Sequence, residues 1–242
     1  TWQNSSDYFN ACNPGTGLDS LVDVPQNGWT YQYPWDGDAY VGVYCYDAVA
    51  DEYREYVDAE LTEPLVVGCS YQLRFRTNPA YGGNYWLQNA GTASNNIGML
   101  LTTVSNAWPG ITGPPFPYRN FAHLRTLAPV SDTLGWTVVE GIITADSAYR
   151  YVVLGNFFPD SLTIAEPVGN PDPWTGVTYY LFDGVEVIPL DPICHGVGVG
   201  EHDGIGPHVL IIDDRINVRW SAGPIEAEVM DIAGREVVIR RI

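Results

Sequence analysis

"YREYVDAELTEPLVVGCSYQLRFRTN", residues 53–78, is the stretch whose reading decides the fold. Its first nine residues fit two periods. Tyr53, Val57 and Leu61 would share one face of a helix, while Tyr53, Val57, Ala59 and Leu61 would equally share one face of a strand. The second half resolves the choice. After Gly68 at a turn, Tyr71, Leu73 and Phe75 alternate at the period of two that marks a strand with one buried face. Both halves are therefore read as strand.

Other strands follow on either side: "AYVGVYCY" (39–46), "NIGMLLTTV" (96–104), "HLRTLAP" (123–129), "WTVVEGIITA" (136–145), "YRYVVLGNF" (149–157) and "VTYYLFDGVEVIPL" (177–190). Between them lie stretches read as irregular, 1–38, 78–95 and 105–121; the four prolines of the last exclude a central strand. Short strands separated by Gly/Pro turns predict an all-β chain, an antiparallel jelly-roll β-sandwich over 1–190. Residues 191–207 are Gly-rich and read as a linker. Residues 208–242 hold four further short strand patterns and read as a small C-terminal β unit.

The chain has 242 residues, 29 acidic and 11 basic, and every basic residue is Arg. A net charge of -18 disfavours nucleic acid and anionic membrane and suits divalent cations or high salt. No apolar run approaches the roughly 20 residues of a membrane span. Thr1-Trp2-Gln3-Asn4 reads as a mature start, not a signal peptide. None of the four cysteines sits in a CxxC pair, so a disulfide framework in an oxidising compartment is expected rather than zinc. Three connectivities are open, and the spacing does not choose among them; the working pairing is Cys12–Cys45 with Cys69–Cys194.

No spacing in the sequence assembles an enzyme. His195, His202 and His208 crowd the linker without an H-E-x-x-H pattern. Cys194 and His195 are adjacent and lack an orienting group, which suits Cys194 better to a disulfide. Acidic pairs such as Asp36/Asp38 read as solvated turns. The aromatics Tyr85, Trp86, Trp108, Tyr118 and Trp174, with Tyr81 and Phe116, sit in loops. Three readings stay open for them: stacking against sugar rings, contact with other protein copies, or pinning of their own loops.

The ordered stretches "SDYFNACN", "VPQNGWTYQYPWDGDAYVGVY", "YREYVDAELTEPLVVGCSYQLRF", "LGNFF" and "YYLFDGVEV" resemble an extracellular jelly-roll module of Bacteroidetes-type surface proteins, similar to carbohydrate-binding sandwiches. The resemblance covers roughly residues 2–190. It implies a structural Ca2+ held by Asp183 on the last strand, with Asp7 near the N-terminus as partner. Family versions often read D-D-V where this chain has Asp183-Gly184-Val185, so one carboxylate is missing. The alternative for Asp183 is the capping of a backbone turn. Arg54 of the same resemblance is read as architecture, paired with a carboxylate.

"GVGVGEHDG", "HVLIIDDRINVRW" and "IEAEVMDIAGREVVIRRI" resemble the C-terminal sorting domain of type IX secretion cargo, with Asp231 to Arg235 in place of its D-x-x-G-R turn. That implies export to the cell surface and contact with the type IX secretion machinery. Such domains usually continue with another turn and one or two closing strands, which this sequence does not contain. An unpaired edge there would invite a strand from a neighbour through Val237, Val238 and Ile239, with Arg240 and Arg241 meeting an acidic body. A tail folded on its own domain is the alternative. The expectation is a non-enzymatic, extracellular structural or adhesive protein that self-assembles into a filament or layer; a calcium-stabilised carbohydrate-binding module that recognises glycans is the second reading.

Overall fold

The computed structural model describes residues 6–13, 17–48, 52–84, 91–105, 120–168, 176–191 and Cys194, together with the backbones of four strands between 208 and 241. The chain divides into two compact units, Thr1–Gly196 and Val197–Ile242. The division falls inside 191–207, and most of that stretch lies outside the described residues.

The first unit carries strands β1 (Asp7–Asn10), β2 (Ala39–Asp47), β3 (Val57–Glu60), β4 (Ser70–Pro79), β5 (Thr92–Ser94), β6 (Ile97–Thr102), β7 (Leu124–Arg125), β8 (Thr137–Thr144), β9 (Tyr151–Asn156), β10 (Ala165–Pro167) and β11 (Val177–Pro189). A five-stranded sheet runs β1-β2-β11-β4-β8 and a four-stranded sheet β3-β9-β6-β7, with β5 and β10 as a separate pair. All of these pairings are antiparallel. The fold is an all-β sandwich.

Strand alternation builds the core. Val43, Cys45, Leu73, Phe75, Val139, Tyr180 and Phe182 point inward from the five-stranded sheet. Ile97, Met99, Leu101, Val152 and Leu154 meet them from the four-stranded sheet. Each such side chain, fully buried, contributes about 1.5–3 kcal/mol. Behind the four-stranded sheet, Tyr56, Leu100, Val153, Phe157 and Phe158 form a second apolar cluster.

The stretch 53–61 is strand only at Val57–Glu60, paired with β9. Residues 53–56 leave the ladder because their polar groups are used elsewhere. Arg54 is buried, with Nη2 2.6 Å from Asp160 Oδ1, and also donates to the carbonyls of Tyr53 and Phe158. Glu55 extends the edge of β2 where β1 ends. Its amide donates to the Tyr44 carbonyl, and its carboxylate accepts the Tyr44 amide and the Tyr53 hydroxyl. The short strands β1, β5 and β10 and a 3-10 turn at Gly17–Val22 lie in stretches that carry no strand periodicity in the sequence.

Cys69 and Cys194 form a disulfide, with Cα atoms 5.7 Å apart. The expected Cys12–Cys45 bond does not form: both thiols are free, Cys12 exposed and Cys45 buried in the core. The register explains this. β1 pairs with β2 from Asn10↔Ala39 to Asp7↔Gly42, so Cys12 lies beyond the Ala39 end and Cys45 beyond the other. Cys45 is six residues from Ala39, about 20 Å at 3.3 Å per residue, and Cys12 lies beyond the Ala39 end, so the two are far outside disulfide reach. Burial pushes the Cys45 thiol pKa well up, which keeps it protonated and inert.

The second unit contains two antiparallel hairpins, β12 (His208–Ile212) with β13 (Arg215–Arg219) and β14 (Glu226–Met230) with β15 (Glu236–Arg241). Among the described residues, no helix is long and apolar enough to cross a membrane.

The Cys69–Cys194 bond closes a separation of 125 residues. Cys194→Ser is expected to lower stability by about 4 kcal/mol, mainly by releasing the unfolded chain. The first unit would then melt roughly 10 °C lower. Calorimetry with and without reductant checks this: the variant should be insensitive to the reductant and the parent sensitive.

Candidate functional site

The outer face of the five-stranded sheet is covered over half its width. Tyr179 and Leu181 of β11 and Tyr40 of β2 project outward, together with Phe9 of β1, into a third cluster packed by Val22, Val24, Trp29, Tyr44 and Trp136. Trp29 stacks on Tyr179 with ring centroids 4.6 Å apart. Gly42 makes room for the layer: a Cβ there would meet the Tyr179 ring at 2.5 Å and Phe9 at 2.8 Å. The cover is the segment from Val22 to Trp35, held by buried Asn27. The Asn27 side chain accepts the amides of Trp29 and Thr30 and donates to the Asp23 carbonyl and the Tyr40 hydroxyl.

This cover presents a row of exposed aromatics. In "TYQYPW", residues 30–35, Thr30 and Gln32 are buried, while Tyr31, Tyr33 and Trp35 are 52%, 60% and 52% exposed. Tyr31 and Tyr33 contact edge to face at 6.0 Å. The Trp136 indole donates to the Tyr33 carbonyl. Trp35 lies against the Arg76 guanidinium, 4.1 Å from its ring centroid, a cation–π contact. A charge ladder continues across β11, β4 and β8. Glu186 accepts from Arg76 and Arg74 at 3.5 and 3.2 Å, and Arg74 donates to Glu140 at 3.0 Å. The signal for the row is the polar–aromatic alternation of residues 30–35. It sits in the stretch 1–38, which reads as irregular.

Asp183 positions the row. Its Oδ2 accepts the amides of Trp35 and Asp36 at 2.7 and 3.4 Å, and its Oδ1 accepts that of Gly184. A β-bulge between Asp183 and Glu186 turns the carboxylate toward them. Gly184 is required at this bulge: its φ is +54°, and a Cβ would meet Arg76 Nη1 at 2.5 Å. Asp183 thus caps a backbone segment.

Asp7 does different work. Its Oδ2 accepts the Tyr179 hydroxyl at 2.5 Å. Burial holds its carboxyl above the usual range against the opposing hydrogen bond from Tyr179, and the nearby Glu55 charge adds to the rise. Asp7 is opposite Gly42 and Gly42 opposite Leu181, so Asp7 and Asp183 stand two strands apart, about 10 Å. Ca2+ takes six to eight oxygens at 2.3–2.6 Å. With Asp183 satisfied by amides and Asp7 by Tyr179, these two residues do not fit a shared Ca2+ site. Among the described residues, no group of three or more His, Cys, Asp or Glu is placed to hold a metal.

Tyr85, Trp86, Trp108, Phe116, Tyr118 and Trp174 lie outside the described residues, as do the side chains of His195, His202 and His208. Tyr81 is half-buried, and its carbonyl accepts the Tyr31 amide and the Thr30 hydroxyl. Val237, Val238, Ile239, Arg240 and Arg241 all fall on β15; the last four pair in register with β14, and the ladder shifts at Val237. His123 is structural: its Nδ1 accepts the Leu101 amide, and burial lowers its pKa.

The raised pKa of Asp7 fixes a sign. The folded chain holds this proton to a higher pH than the unfolded chain does. Stability is therefore lost as pH rises from the ordinary value of 3.8 through the raised one. Asp7→Asn keeps an acceptor for Tyr179 and removes the charge. Its melting temperature relative to the parent is expected to be higher at pH 7 than at pH 3, measured by thermal melts across that range. Compared with known proteins, the chain matches no family model, no curated protein and no solved structure.

Proposed function

We propose that this chain is a non-enzymatic extracellular surface protein, exported by type IX secretion, that assembles with copies of itself through its C-terminal strands. One observation carries the reading. In the second unit, strands β12 to β15 pair only as two-stranded hairpins among the described residues. An isolated two-stranded hairpin is marginal in water, because three or more strands are needed to bury an apolar face. Each hairpin strand also has an edge of unpaired amides and carbonyls. The strand "EVVIRR" is apolar and basic in a chain of net charge -18, so it attracts the acidic body of a neighbour.

The Cys69–Cys194 bond supports an oxidising, extracellular setting. The winding of the first unit supports the jelly-roll reading. The chain changes sheets from β2 to β3, β3 to β4, β7 to β8 and β8 to β9.

Electron microscopy and sedimentation of the purified chain at neutral pH test the proposal. Filaments or sheets are expected, and deletion of 228–242 should leave monomers that melt like the parent. Dispersed monomers of the full chain, or polymers that survive the deletion, would overturn it.

The row of Tyr31, Tyr33 and Trp35 favours a second reading, glycan contact. Exposed rings stack on the apolar faces of sugars, and the flanking Arg and Glu side chains would hydrogen-bond hydroxyls. On this reading, Trp35→Ala weakens binding to a glycan array about fivefold or more, the worth of roughly 1 kcal/mol. Equal binding by variant and parent would discard the row as a sugar site.

A further inference from the structure

Strand β8 forms one edge of the five-stranded sheet. At eight residues it is longer than the edge strands β1, β3 and β7. The Ala145 amide donates to the Cys69 carbonyl, whereas the Ser70 carbonyl accepts from Leu190 on the other side of β4. With the register Tyr71↔Ile143 through Thr77↔Thr137, the odd-numbered residues of β8 therefore pair with β4. The amides and carbonyls of Val138, Glu140, Ile142 and Thr144 face away from it and have no partner among the described residues.

Natural edges are blunted by Lys, Pro, bulges or a covering segment. β8 has no Lys or Pro, its pairing with β4 is unbroken, and Val138 and Ile142 are 48% and 68% exposed. Along it runs a groove of about 570 Å³, lined in part by Ala128, Pro129, Asp132, Thr137, Val138 and Glu140.

We propose that this edge receives strand β15 of a second copy, extending the five-stranded sheet by one antiparallel strand. The inference rests on the self-assembly reading above and names its acceptor. Among the described residues, the chain holds a long edge without a further strand and a two-stranded hairpin without a third. Six residues of β15 match the eight of β8 in length. Arg240 and Arg241 in β15 and Arg235 just before it complement Asp132 and Glu140 beside the groove. Main-chain hydrogen bonds would supply the affinity, and the charges the choice of partner. A chain with one donor strand and one acceptor edge joins head to tail, and such contacts generate rings or filaments.

The test uses the full-length chain with its disulfide intact. Ile142→Pro removes an outward amide from β8 and leaves the ladder to β4 in place. Ile239→Pro with Arg240→Pro removes an outward amide from β15, because these two residues pair with Glu228 and Ala227 without a register shift and so face opposite edges. Sedimentation velocity is expected to show polymers for the parent and at least tenfold less polymer for either variant, at an unchanged melting temperature of the first unit. If Ile142→Pro lowers that melt, Ile142→Lys replaces it, with the same outcomes. An equimolar mixture of the two variants should form a one-to-one dimer and nothing larger, since one chain can only donate and the other only accept. Undiminished polymers from the β8 variant, or a mixture that stays monomeric, overturn the β8 assignment and leave self-assembly standing. A monomeric parent overturns both.

Discussion

Strand β11 is apolar on both faces. Tyr180 and Phe182 fill the space between the sheets, while Tyr179 and Leu181, also buried, project the other way. A sandwich supplies cover for only one face of each sheet. The second face must be roofed by something else, and the segment from Val22 to Trp35 does this. Its path is set by Trp29 stacked on Tyr179, by Asn27 holding its own turn, and by Asp183 gripping the Trp35 and Asp36 amides. The exposed aromatic row follows. Once Thr30 and Gln32 are drawn inward, the alternate residues Tyr31, Tyr33 and Trp35 must point to solvent.

Charge divides the molecule in a second way. Arginine is scarce, and the arginines described in the first unit are engaged. Arg54 pairs with Asp160, Arg74 and Arg76 with Glu186, Arg150 with Glu60, and Arg125 donates to Asn96 and lies over the Phe158 ring. The exposed pairs contribute at most about 1 kcal/mol each. The basic residues at the end of the sequence, Arg235, Arg240 and Arg241, sit on and next to β15. On the self-assembly proposal, these arginines would meet the acidic body of a second copy, and salt would screen that contact.

The half of the outer face left unroofed differs from the covered half. Over β4 and β8 it carries the ladder of Glu186, Arg74 and Glu140, with Val138 and Ile142 exposed beside it. The half-buried carboxylate of Asp7 and the buried one of Glu55 are used as anchors, one for the Tyr179 hydroxyl and one for the edge of β2.

The sequence by itself determined the class and the inner core. Alternation at Tyr71, Leu73 and Phe75 is a local signal of period two, and the apolar run that opens at Val177 is a local signal of a buried strand; the chain obeys both. It also suggested Cys194 as a disulfide partner. Tertiary structure alone decided the rest, because those features join residues far apart in the chain. The antiparallel register of β1 and β2 puts Cys12 and Cys45 beyond opposite ends of the pairing, so they stay apart. The stretch 53–61 splits because Arg54 and Glu55 find Asp160 and Tyr44. The aromatic row was written as alternation in residues 30–35, but which members face water depends on β11 having a second apolar face to cover. Periodicity reports that a residue has two sides to choose between, and only the packed neighbours settle which side is wet.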